Sequence, residues 1–257
     1  MSTRVDSAMP FWLSLVLVMT AWGAPGAGSP ATPADDYKAI VAEYEKAQEE
    51  FSKIISKAKT EAEQQKAFEK YPQPANYAGR FLKFAEKNPK DAEALEALIW
   101  IVSHASQAPE ADTALGLLAE QHVTSDKIGT ACQSLVYSQS KQAEKFLRAV
   151  LEKNSHQEVL AKATISLGRY LLQRGSESEE GAREAEKLFE RVVVKFSKIE
   201  GYERTLGEEA TSELFEIRNL AIGKVAPDIE GEDVDGRKFK LSDDAGKVRV
   251  IDFWGDW

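Results

Sequence analysis

The sequence predicts a mainly α protein with a short β-containing segment at its C-terminal end. Two observations carry this. Apolar residues recur at three- and four-residue steps almost without interruption from Tyr37 to Asn219, the period of helices that bury one face. From Ile222 onward that period stops, and short β-branched and aromatic runs separated by Asp-Gly and Gly-Lys take over, the mark of strands and tight turns.

The 257 residues carry 33 Lys+Arg against 42 Asp+Glu, a formal charge of −9, with 43% hydrophobic residues. Such a balance suits a globular chain and opposes nucleic-acid binding, which needs lysine and arginine gathered on one face. Phe11 to Ala21 is an apolar run of signal-peptide size followed by the small residues Gly23, Ala24, Gly26 and Ala27. It is short for a bilayer span. Residues 1–28 are therefore expected to be a signal peptide, with an uncleaved anchor or a fortuitous apolar start as the alternatives. Export to the periplasm or cell surface follows, with no stable membrane span after cleavage. A lone Cys132 excludes an internal disulfide. His104, His122 and His156 lack metal-ligand spacing, so no metal or other cofactor is expected.

Beyond the Pro/Ala linker Pro25–Ala34, a helical region is expected over 35–219. Tyr37, Val41, Tyr44, Phe51, Ile55 and Ala58 make the first stripe, which runs on until Tyr71-Pro72-Gln73-Pro74 stops helical hydrogen bonding. Further helices are expected over Ala75–Lys87, Asp91–Ser106 with Asp91 as cap, Glu110–Gln121, Ser125–Ser138, Ser140–Lys153, His156–Arg174, Glu179–Phe196 and Glu208–Asn219. Gly175 is placed to end its helix. Cys132 and Trp100 lie on apolar stripes and are expected in the core. Leu167-Gly168 with Leu171, and Ala185 with Leu188-Phe189, resemble a degenerate tetratricopeptide pair, in which small residues let two helices cross closely. An irregular solenoid of antiparallel helix pairs is expected in preference to a closed bundle. Its surface is a possible place for a protein partner.

The final segment opens with Gly223-Lys224-Val225-Ala226-Pro227. A strand ending at Val234, a two-residue Asp235-Gly236 hairpin turn and a strand over Arg237–Leu241 are expected next. A helical turn at Ser242-Asp243-Asp244 ends at Gly246, and Val248–Trp254 reads as a strand. Gly223, Ala226, Pro227, Gly236, Leu241, Ser242, Asp243, Gly246, Lys247, Phe253, Trp254 and Trp257 stand in the order of the TlpA/ResA-like thioredoxin-fold proteins, which share the redoxin (AhpC/TSA) profile, and the segment 222–257 resembles the opening of that fold. Asp244-Ala245 departs from the family pattern in the turn alone.

The resemblance implies an extracytoplasmic thiol–disulfide oxidoreductase acting on protein thiols and disulfides. Its Cys-x-x-Cys is expected just past Trp257, so 222–257 is expected to be an incomplete thioredoxin-like domain. It makes Trp254, Asp256 and Trp257 residues that flank the active site, with no catalytic residue within the chain itself. In this family the first cysteine sits at a helix N-terminus, where amides and dipole favour the thiolate. Two other readings stay open: a peroxiredoxin-type peroxidase, and a non-catalytic helical-repeat adaptor.

Overall fold

The computed structural model describes residues 32–174, 179–225 and 227–248, together with Val250 and Asp252. Residues 1–28, Gly175 and Trp254, Asp256 and Trp257, which are expected to flank an active site, lie outside the described residues. The chain is mainly helical, as expected. Ten α-helices are described: α1 Pro33–Ile55, α2 Glu61–Phe68, α3 Ala75–Lys87, α4 Ala92–His104, α5 Glu110–Gln121, α6 Gly129–Ser134, α7 Lys141–Lys153, α8 Gln157–Arg174, α9 Glu179–Lys195 and α10 Leu206–Phe215. A π-helical turn, Glu216–Leu220, continues α10. Strands β1 (Glu230–Glu232) and β2 (Lys238–Lys240) and a 3-10 turn, Leu241–Asp244, follow.

Four helices, α1, α2, α7 and α10, start where a side-chain oxygen accepts from a free amide. Thr32, Thr60 and Thr205 each cap a helix, and Asp35, Glu63 and Glu208 bond back to the capping residue. Such reciprocal caps satisfy two otherwise orphaned amides apiece. Asp91 occupies the cap position of α4, but its side chain makes no cap hydrogen bond.

Packing sorts most of the helices into two rows. α4, α6, α8 and α10 are neighbours in one, α3, α5 and α7 in the other. The rows are stitched by α3 on α4, α4 on α5, α7 on α8, α8 on α9 and α9 on α10. These consecutive helices thus pack as neighbouring pairs. α1 is pinned to the array by aromatic edges: Tyr37 on Phe81 at 5.9 Å, and Tyr44 on both Tyr77 and Trp100 at 5.1 Å. At the α8–α9 crossing, a Cβ on Gly168 would lie 2.8 Å from the Phe189 ring. Only a residue without Cβ permits this approach.

Four expectations need correction. The first helical run is interrupted at 56–60, where Thr60 caps a separate α2. The expected Ser125–Ser138 helix shrinks to Gly129–Ser134, because the buried Asn154 amide donates to the carbonyls of Val123 (2.7 Å) and Ser125 (2.9 Å) and holds that stretch in a loop. The hairpin connection has five residues, 233–237, rather than two: β1 ends at Glu232, β2 begins at Lys238, and Asp233 is bonded to both Gly236 and Arg237. The Asp233 carboxylate also accepts from the amides of Asp235 and Arg237, each at 2.9 Å, a side-chain-closed turn that leaves Val234 in the loop. Gly236 takes the left-handed φ of +77° that this loop requires. Finally, Val248, Val250 and Asp252, the described residues of the expected last strand, are not in a strand. A single antiparallel bridge, Glu200 with Thr205, is the only non-helical pairing described within 35–219.

Candidate functional site

The residues expected to flank a redox centre follow directly on a small folded unit. Within it β1 pairs antiparallel with β2, Gly231 facing Phe239. The Phe239 ring covers Gly231 at 3.2 Å from where a Cβ would stand. Asp228 ties the base of the hairpin to the 3-10 turn. One carboxylate oxygen accepts from the Ser242 amide at 2.8 Å and the other from the Ser242 hydroxyl at 2.6 Å. These bonds hold the Asp228 carboxyl below its ordinary value, the hydroxyl first and the amide next. The Leu241 amide closes on the Ile229 carbonyl at 2.8 Å. Gly223 and Gly246 bracket the unit with φ of +86° and +88°.

The unit leaves several apolar side chains exposed among its charged ones. Ile222, Val225, Val234, Val248 and Val250 are almost fully exposed, and Ile229 and Phe239 are each 44% exposed. Two short strands cannot bury such side chains between themselves. Val248 and Val250 accordingly stay exposed, outside any described strand.

The one cysteine is no substitute for a redox pair. Cys132, on α6, is fully buried, and burial pushes its thiol up to about 12, opposed only by its own backbone hydrogen bond and the charge of Lys162. A thiol that stays protonated cannot attack a disulfide at neutral pH. His104 and His122 serve packing, and His156 is exposed. His104 stacks on Trp100 at 4.9 Å, with its Nδ1 3.1 Å from the Trp100 carbonyl oxygen. Desolvation holds His122 below the ordinary imidazole range, and its Nε2 is buried without a partner. Among the described residues no group of three or more His, Cys, Asp or Glu side chains could hold a metal. No described helix is long and apolar enough to cross a membrane.

The helical array offers a second surface that sequence reasoning did not locate. An open groove runs between α6, α8 and α10, with Val136 and Leu172 along it and the exposed rings of Tyr137 and Tyr202 beside them. Arg169 closes one wall, with ion pairs to Glu209 at 3.0 Å and Glu213 at 2.7 Å. Tyr202 is 95% exposed because Gly201 and Arg204 form a tight turn around it. In that turn the Glu209 carboxylate accepts from the Tyr202 amide at 3.3 Å. No local sequence signal marks this groove; it exists only once α6, α8 and α10 are adjacent. No protein-family model, no curated protein and no solved structure matches the chain.

Proposed function

We propose that the chain supplies the helical module and the opening of the thioredoxin-like fold of an exported, TlpA/ResA-like thiol–disulfide oxidoreductase, whose redox cysteines follow Trp257. The observation that carries this reading is the ordered set from Gly223 to Trp257. The local geometry supports it: glycines adopt left-handed φ at Gly223, Gly236 and Gly246, and Asp228 binds the hairpin to the Leu241–Asp244 turn. In the whole fold a helix N-terminus beyond Trp257 would activate a cysteine as thiolate. Trp257 would line the apolar approach to that sulfur, with Trp254 and Asp256 flanking it. The substrates are protein thiols and disulfides, and the helical array contributes a surface for a protein partner.

The test is reduction of insulin disulfides by the whole product of the gene in the presence of a dithiol. Catalysis that is lost on replacing the cysteine after Trp257 by serine is the expected result. Consumption of hydroperoxide without disulfide reduction would favour a peroxidase instead. Absence of both activities would overturn the enzymatic reading.

The groove bearing Tyr137 and Tyr202 favours a second reading, a non-catalytic adaptor in which the helical array does the binding. Exposed tyrosines beside an apolar floor are the composition of recognition surfaces.

A further inference from the structure

At the opposite end of the helical array, α1 and α2 are joined by the short connection 56–60 and leave a cleft between them. Its floor is apolar: Ile54, Ala58 and Ala67, of which Ala67 is 2% exposed. Its rim carries Lys57, Lys66 and Lys70, all exposed. None of these three is in an ion pair among the described residues, unlike Lys53, Lys127 and Lys162, which pair with Glu49, Glu96 and Glu158. The one carboxylate lining the cleft, Glu63, accepts from the amides of Lys59 (2.8 Å) and Thr60 (3.1 Å), so its charge is engaged at the start of α2. Between Phe51 and Tyr71 there are five lysines and three glutamates, in a chain of net charge −9. Beside the cleft, Phe68 is 59% exposed, with its ring 5.7 Å from that of Phe51.

We propose that this cleft docks an acidic peptide segment of a partner protein, one apolar side chain entering the floor between flanking carboxylates that meet the lysine rim. Charge complementarity selects the occupant. A local positive field on an acidic molecule draws anionic ligands and turns away the acidic remainder of other copies. Lysines act as point charges that meet separate carboxylates without demanding a planar fork. A bilayer is a poorer occupant. The apolar floor is confined to three side chains, and a broad anionic plane would also face the acidic body within a Debye length of about 8–10 Å. The proposal does not depend on the oxidoreductase reading.

Fluorescence polarisation with a labelled Asp-Glu-Leu-Glu-Asp peptide tests it. We expect saturable binding tighter than about 1 mM, weakened by added salt. The double variant Lys66→Glu/Lys70→Glu changes only exposed residues, and its circular dichroism should match the parent. It should lose at least about tenfold in affinity, as should a peptide with serine in place of leucine. Three results would each overturn the proposal: no binding below about 1 mM, equal binding by the folded double variant, or equal binding of the serine peptide. Capture on phosphatidylglycerol vesicles that the peptide does not displace would overturn it in favour of a membrane surface.

Discussion

The close approach of α8 and α9 makes a sharp prediction about Gly168. Replacing it by alanine removes a residue that costs a helix about 1 kcal/mol relative to alanine. The new Cβ, however, would stand 2.8, 2.9 and 3.3 Å from three carbons of the Phe189 ring. Ordinary carbon contacts lie at about 3.5–4.0 Å, so the helices or the ring must move by roughly 0.7 Å. Phe189 is fully buried and cannot swing into solvent. Overpacking of this kind costs about 1–3 kcal/mol, and three simultaneous contacts place Gly168→Ala near the upper end. The net effect is a loss of about 1–2 kcal/mol, which lowers Tm by about 2–8 °C for a protein of this size. Gly116, within α5, has no heavy atom within 4 Å of its would-be Cβ. Gly116→Ala should therefore raise stability by about 0.5–1 kcal/mol. Thermal and urea unfolding followed by far-ultraviolet circular dichroism measures both. A Gly168→Ala protein as stable as the parent would refute the close α8–α9 crossing.

Three other outcomes are expected. Asn154→Ala strips the carbonyls of Val123 and Ser125 of their buried donor and should cost about 1–3 kcal/mol in urea unfolding. Cys132 should resist thiol reagents in the native protein near pH 7 and react at once in denaturant, as its burial and raised pKa require; rapid native labelling would contradict this. The Arg148 guanidinium grips Glu184 through two bonds of 2.7 and 2.9 Å and holds its carboxyl below the ordinary 4.5. A depressed folded-state pKa gives stability present above about pH 4.5 and lost as pH falls through the folded value. With both side chains more than a third exposed, Arg148→Met should cost no more than about 1 kcal/mol at pH 7, and the difference should shrink toward zero in acid.

Much of the helical array was legible because each helix writes its buried face as a periodic stripe. α3 and α5 begin and end where Pro74, Asn88, Pro109 and His122 interrupt the pattern. The start of α2 was legible too: Thr60 with Glu63 is a capping box, but it was masked by the stripe that continues through Ala58. The loop before α6 was not, since it depends on Asn154, a residue distant in sequence. The same reason hides both surface features. The groove beside Tyr137 needs α6, α8 and α10 side by side, and the lysine rim needs α2 to fold back against the end of α1. The reverse holds for Val248–Trp254, where composition alone suggests a strand. β-branched side chains favour that state only when neighbouring strands supply hydrogen bonds and cover, and Val248 and Val250 have neither.

The oxidoreductase reading is tested most directly by determining the coding sequence downstream of the Trp257 codon. The account predicts Cys-x-x-Cys at once, followed by the helix that would hold the first sulfur at its N-terminus. A reading frame that continues without that pair would contradict it and leave the helical array as the working part of the protein.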